Sequence, residues 1–278
     1  MKIQDHLVSK KWFSLEKNQE HGFWMTVPKP SEIDLPSYYP QEEYLSHQTA
    51  PSNFLERVYH LLRFFAIIYK TSVVKRLKMN GKRLLDMGCG AGFFLKSMQK
   101  SGWQISGIEP NKDARLAANR LTENAVFDNE QLLRWENSSF DAITLWHVLE
   151  HLSDLDQSLV NLSRLLDDHG KLIVALPNHL SYDAHHYRQY WAAYDVPRHL
   201  WHFSKDSLVS LMMTKGFMLL HSKPLWLDAY YISLLSETYR HSKLRWVKAI
   251  WHGTLSNVSA LFSREFSSRI YIFGKMTA

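Results

Sequence analysis

Between residues 82 and 176, short apolar runs alternate with stretches whose apolar positions recur every three to four residues. The runs Arg83 to Met87, Gln104 to Glu109, Ala125 to Phe127, Phe140 to Trp146 and Lys171 to Leu176 predict strands. The stretches Phe93 to Lys100, Asp113 to Leu121 and Leu155 to Leu166 predict the helices between them. Strands this apolar, separated by helices, belong to a parallel sheet covered on both faces. Gly170 follows the last of these helices and reads as its stop signal.

The flanks keep a different rhythm. Up to about Gln48 the chain is irregular, with Pro28, Pro30, Pro36 and Pro40 too dense for a long helix and Tyr38, Tyr39 and Tyr44 among them. From there Phe54, Val58, Leu61, Leu62, Phe65, Ile68 and Tyr69 predict one helix, capped by Ser52 or Asn53 and running to the basic tip around Lys75 to Lys78. Beyond Pro177 a polar, aromatic, His-rich stretch extends to about His202. A helix from a Ser204 cap to Lys215 and a strand from Phe217 to Leu225 follow. Two amphipathic helices come next, marked by Leu227, Tyr230, Tyr231, Leu234 and Leu235 and by Leu244, Val247, Trp251, Leu255, Val258 and Phe262. Trp246 and Trp251 fit the apolar face of the second, which reads as core-facing. The chain closes on a strand, Arg269 to Lys275. The expected division is a cap over 1–79, a core over 80–226, a helical insertion over 227–265 and a final core strand within 266–278.

Hydrophobic residues at 45% and charged residues at 22% are values of an ordinary globular chain, which excludes a fibrous or disordered protein. The apolar run Phe64 to Tyr69 is far shorter than the roughly 18 residues of a membrane span. The start has no apolar signal segment, and the single cysteine, Cys89, has no partner for an internal disulfide. A cytoplasmic protein is expected. The formal charge of +6 sits late: from Leu235 to Lys275 seven Lys and Arg face two Glu. Such a stretch can meet nucleic acid, an anionic membrane surface or an acidic substrate. The solvated face of a helix is the plainer reading, and no nucleic-acid partner is expected.

The chemistry begins at Asp86-Met87-Gly88-Cys89-Gly90-Ala91-Gly92-Phe93, a strand end, a glycine turn and a helix start. Glycines here let a ligand approach the backbone at the carboxyl end of a parallel strand. A dinucleotide turn needs a glycine where Phe93 stands. Asp86 would repel a pyrophosphate and attract an ammonium or a sulfonium, and S-adenosylmethionine carries both. Glu109, ending the second strand, suits a ribose diol. Asp128, after the third, suits either the adenine amino group or a helix N-cap.

In these residues the chain resembles the class I S-adenosylmethionine-dependent methyltransferases. LLDMGCGAGFFL (84–95), SGIEP (106–110), SFDAITLWHVLEHLSD (139–154) and LLDDHGKLIVALPN (165–178) match in order and spacing over about half the chain. The resemblance implies an α/β fold, a doubly wound, mostly parallel seven-stranded sheet with the last strand antiparallel. To it are appended an N-terminal helical or irregular extension and a C-terminal helical insertion. It implies S-adenosylmethionine as methyl donor and S-adenosylhomocysteine as product. Asp86, Gly88, Cys89, Gly90, Gly92 and Glu109 are then cofactor residues, with Asp128 beyond them and Leu145, Trp146 and His147 lining the methionine end. HVLEHL and YDVPRHLWHFSKDSLVSLMMTKGF are similar to the ubiquinone-biosynthesis and natural-product branch, so the acceptor is expected to be a small molecule. Some members of that branch hold a cation on a Glu-x-x-Glu-His version of the stretch that here reads His147, Glu150, His151. That departure leaves a polar helix start and no metal as the expectation. A non-catalytic or nucleic-acid-binding protein keeping this fold is the alternative.

Methyl transfer needs alignment and, for a hydroxyl or amine acceptor, a base, for which imidazole is suited. His147 and His151 follow the fourth strand, while His179, His185, His186, His199 and His202 follow the fifth. His199, beside Asp195, Pro197 and Arg198, is the first candidate base, with His147 and His151 behind it. Arg198 suits either an anionic acceptor or a pairing with Asp195. Trp191, Tyr194 and Trp201 suit either stacking on an aromatic acceptor or packing of the loop.

Overall fold

The computed structural model describes residues 1–39 and 54–276. The expected cap at Ser52 or Asn53, together with Pro40 and Tyr44, lies outside the described residues. Three short strands open the chain: β1 (Lys2–Gln4), β2 (Trp12–Lys17) and β3 (Trp24–Val27), an antiparallel meander. Along β2, Phe13 and Leu15 are buried while Trp12 is exposed, the alternation of a half-buried strand. The sequence reading missed these strands: β1 and β3 have only three and four residues, and the alternation along β2 went unread. The helix α1 (Phe54–Lys75) follows and leads to β4 (Arg83–Met87).

From β4 the alternation read in the sequence holds. It runs α2 (Phe93–Lys100), β5 (Gln104–Ile108), α3 (Lys112–Thr122), β6 (Val126–Phe127), the single turn α4 (Gln131–Arg134), β7 (Phe140–Trp146), α5 (Leu155–Leu165) and β8 (Leu166–Pro177). Helix starts are written locally: Asn111 accepts the Ala114 N–H at 2.9 Å, and Asp154 accepts that of Gln157 at 2.9 Å. The stop signal assigned to Gly170 is corrected. Helix α5 ends at Leu165 on an extended Leu166, and Gly170 lies inside β8.

Then come α6 (Tyr182–Tyr187), β9 (Trp201–His202), α7 (Lys205–Thr214), β10 (Phe217–Pro224), α8 (Asp228–Tyr239), α9 (Arg245–Ser263) and β11 (Ser268–Lys275). The central sheet has the order β10-β11-β8-β7-β4-β5-β6, and β11 alone runs against the others. This is the seven-stranded, doubly wound sheet expected. One face carries Leu155, Leu159, Leu162 and Leu165 of α5 with Leu208, Leu211 and Met212 of α7. The other carries Val73 and Val74 of α1, Phe94, Leu95 and Met98 of α2 and Ala118 of α3.

A second sheet, β1-β2-β3-β9, closes when Trp201 and His202 pair with Met25 and Trp24. Between it and α8 lies a third core, where Ile3, Phe13 and Leu15 meet Tyr187, Trp191, Tyr194, Val196 and Ile232. The stretch after β8 is therefore mostly buried. Asp183 is its polar pivot, fully buried and accepting hydrogen bonds from Trp191 Nε1 (2.8 Å), Ser256 Oγ (2.7 Å) and Ser267 Oγ (2.6 Å).

Helix α9 departs from expectation. Its buried positions are small or polar: Ala249, Gly253, Ser256, Asn257 and Ala260. A Cβ on Gly253 would lie 2.7 Å from Tyr230 of α8, so the two helices touch closely. The large apolar side chains point outward, Trp251 at 62% and Phe262 at 85% exposure. The core-facing reading of Trp246 and Trp251 is corrected, because the contact with α8 selects small residues and leaves the apolar stripe outside.

Candidate functional site

The strand order reverses at β4, which has β5 on one side and β7 on the other. In such sheets the crevice at the carboxyl ends of the flanking strands takes the ligand. Gly88, Gly90 and Gly92 form its floor with φ of +61°, +54° and +78°, a region that L side chains rarely adopt. Two are also constrained by neighbours. A Cβ on Gly88 would come within 2.6 Å of Val148, and one on Gly92 within 2.9 Å of Ala118 in α3. A Cβ on Gly90 would meet nothing within 4 Å, so this backbone faces open space.

Glu109, buried, holds the turn from β5. Its Oε2 accepts the Gly90 N–H at 2.8 Å and its Oε1 that of Asn111 at 2.9 Å, and burial raises its pKa. Each carboxylate oxygen keeps a second lone pair. Cys89 packs its sulfur against β5, close to Gly107, and burial pushes the thiol up. Asp128 is exposed after β6, and the N-cap reading fails because Glu130 occupies that position of α4.

Asp86, 2% exposed, accepts a hydrogen bond from Thr144 Oγ1 at 2.7 Å. Burial pushes its pKa up to about 7, against the pull of that hydroxyl and of Lys70. It is a carboxylate short of a cation. Lys70 enters from α1, its ammonium 5.0 Å from the Trp146 ring centroid and lowered in pKa by burial. Leu145 turns into the core, while Trp146 stands edge-on to Phe94 with its buried Nε1 unpartnered among the described residues.

His147, at the end of β7, has a φ of +58° and a side chain 30% exposed. Its Nε2 lies 3.0 Å from Asp228 of α8 and its Nδ1 3.4 Å from Glu150. Burial opposes its charge, yet the two carboxylates raise its pKa to about 9. Sequence reading missed Lys70 and Asp228. Asp228 carries no local signal, since it opens a helix without capping it, and Lys70 is hidden as the cation ending an apolar run.

Four of the other candidate histidines are bonded to carbonyls or hydroxyls. His151 Nδ1 lies 3.0 Å from the Arg198 carbonyl and 3.1 Å from the Tyr39 hydroxyl; burial and the neighbouring His199 lower its pKa to about 4. His199 is 8% exposed and donates from Nδ1 to the Ala193 carbonyl at 2.9 Å. His179, lowered by burial to about 4, and His202, lowered well below its usual range, bond to the Phe203 carbonyl and to Thr26. Arg198 is buried and paired with Asp195 (2.8 Å) and Asp5 (3.1 Å), so of its two readings the pairing is the one formed. Trp191 and Tyr194 pack the loop. Donor atoms of Glu150, His151 and His199 lie within 4.8 Å of one another and could hold a divalent cation. The His147 imidazolium beside Glu150 offsets the charge that such an ion would use.

Comparison with known proteins bears on the family and the fold. Residues 113 in length align at 35% identity with a ubiquinone biosynthesis O-methyltransferase of Xanthomonas oryzae, covering 38% of this chain and 47% of the relative. The chain thus spans about half the length of the curated relatives it matches. Magnesium protoporphyrin IX methyltransferase of Synechocystis, solved with bound S-adenosylhomocysteine, superposes with a TM-score of 0.57 at 11% identity, over 89% of this chain and 100% of that one. A possible histamine N-methyltransferase of Thermotoga maritima gives 0.54 at 18%, over 84% and 99%. Both share the fold. Residues 45–222 match the family described as methyltransferase domain, and the chain belongs to that family.

Proposed function

We propose that the protein transfers a methyl group from S-adenosylmethionine to a hydroxyl of a small-molecule acceptor. The observation that carries this is Asp86, a buried carboxylate without a full countercharge, set across an open glycine turn from Glu109. The pair suits a ligand that is cationic at one end and a ribose at the other. When bound, S-adenosylmethionine supplies a methyl already activated by its sulfonium. Asp86 takes the ammonium of the methionine end, in place of the partial service of Lys70. Glu109 uses its free lone pairs for the ribose diol while its bound N–H groups keep the turn in shape. The backbone of Gly88, Cys89, Gly90 and Gly92 provides the close approach, Trp146 closes the methionine end, and Asp128 stands at the adenine side.

Of the candidate bases, His147 is the best placed. It is partly exposed, Glu150 lies 3.4 Å from its Nδ1, and its Nε2 lies 3.0 Å from Asp228 of the helical insertion. In its neutral form, with Asp228 replaced by the acceptor, its Nε2 would take the proton of the acceptor hydroxyl. His199, deeper and tied to Ala193, steadies the loop. Residues 28–39 and α8 wall the acceptor side. Tyr39 reaches His151 from the first, Asp228 reaches His147 from the second, and residues 40–48 of the expected cap lie outside the described residues.

Calorimetry with S-adenosylhomocysteine and NAD tests the reading, followed by transfer of a labelled methyl group to catechols and other phenols. Binding of the sulfur cofactor alone, with label moving to oxygen, is expected. A protein that binds NAD, or binds neither, overturns it.

A further inference from the structure

Helix α9 is held in one orientation by its narrow side. Gly253 abuts Tyr230, Ser256 donates to Asp183 at 2.7 Å and Asn257 donates to the Trp226 carbonyl at 3.0 Å. Rotating the helix to bury its large residues would drive them into α8. The outward stripe comprises Leu244, Val247, Ile250, Trp251, Val258, Leu261 and Phe262, all between 47% and 85% exposed. At 100° per residue these positions span an arc of about 120°. Lys243, Arg245 and Lys248 are exposed at the first turn and Arg264 at the last. Between Glu237 and Glu265 the chain has five Lys and Arg and no carboxylate.

We propose that this outward face of α9 seats the protein on an anionic lipid bilayer, lying in the interface plane. An apolar stripe with Trp and Phe, bordered by cations, is the pattern of a helix that sinks its apolar face to the headgroup boundary while its cations meet anionic headgroups. No helix among the described residues is long and apolar enough to cross a membrane, which fits a helix that lies on one. Charge selects among occupants. A nucleic acid would use the cations and leave the apolar stripe in water. A second copy would cover the stripe and press two like-charged rims together. An anionic bilayer satisfies both features at once.

The test is co-sedimentation of the full chain with vesicles of phosphatidylcholine, alone or mixed with phosphatidylglycerol, with tryptophan emission as a second readout. Binding to the anionic vesicles with a blue shift is expected, weakened about tenfold without phosphatidylglycerol or at high salt. The double variant Trp251→Asp, Phe262→Asp should lose about tenfold or more of that binding while its unfolding midpoint and S-adenosylhomocysteine affinity stay unchanged, since both side chains are exposed. Failure of the wild type to bind anionic vesicles, or equal binding by the double variant, overturns the proposal. So does a dimer in ultracentrifugation that the double variant dissolves while vesicles remain unbound. Cofactor binding is read separately, so a failed anchor leaves the catalytic reading intact.

Discussion

Asp86→Asn should stabilise the ligand-free protein at mildly alkaline pH while weakening its hold on S-adenosylmethionine. Burial raises this carboxyl from 3.8 to about 7. A group whose folded pKa lies above its unfolded value contributes stability that is full below the unfolded value and is lost as pH climbs through the folded one. The wild type therefore surrenders stability between about pH 4 and pH 7 through this one group, whereas the amide does not. Three pKa units at about 1.36 kcal/mol each give an upper figure of about 4 kcal/mol above pH 7. The Thr144 hydroxyl that donates to Asp86 finds an acceptor in the amide as well, so the packing is preserved. The assay is urea unfolding of both proteins from pH 4 to pH 8.5, and the informative quantity is the difference between them, which removes the titration of every shared group. That difference should grow with pH and level off near 7. Saturating S-adenosylhomocysteine, through its ammonium, should shrink it. A difference independent of pH, or a variant less stable than wild type at pH 8, would refute the reasoning that Asp86 is a buried carboxylate awaiting a cation.

Glu109→Gln should weaken cofactor binding by about tenfold or more in calorimetry, since a hydrogen bond to a charged group contributes about 1.5–3 kcal/mol; an unchanged affinity would remove Glu109 from the ribose. In the free protein the imidazole of His147 is protonated up to about pH 9, so kcat/KM should rise with pH toward that value. His147→Gln should flatten the profile and lower the rate about 10²- to 10⁴-fold, with cofactor affinity retained. If instead His199→Ala alone abolishes that pH dependence, the base is His199. Asp183→Ala leaves three buried donors unpaired and should lower stability by about 3 kcal/mol in urea unfolding, with no change in the pH profile of turnover. Hydrogen exchange in residues 28–39 and 228–239 should slow when cofactor and acceptor bind together, and uniform exchange would deny them a capping role.

The glycine turn, the acidic strand ends and the alternation of the central sheet were readable because each is a local pattern. Apolar runs report strands buried on both faces, and a glycine with positive φ has few substitutes. The N-terminal sheet was not readable. Three of its four strands have four residues or fewer, and β3 pairs on one side with a two-residue strand 176 to 178 positions later, a pairing no window of sequence contains. The stripe on α9 was seen, but periodicity gives the width of an apolar face and not its direction, which Gly253 and its neighbours decide through α8. Lys70 and Asp228 reach the site from elements outside the central alternation. Their meeting with Asp86 and His147 is a product of topology, and neither carries a motif of its own.

The shared carboxylate at Asp183 also bears on the order in which the chain can be completed during synthesis. Two of its three donors, Ser256 and Ser267, follow it by 73 and 84 positions. A ribosome releases residues at roughly 5–20 per second, so Asp183 emerges seconds before those hydroxyls and has only Trp191 to meet it. The carboxylate that ties the stretch after β8 to α9 and to the lead into β11 therefore lacks its full set of donors until residue 267 has left the tunnel. A chain truncated before residue 256 would lack both serine hydroxyls that the Asp183 carboxylate binds in the finished structure.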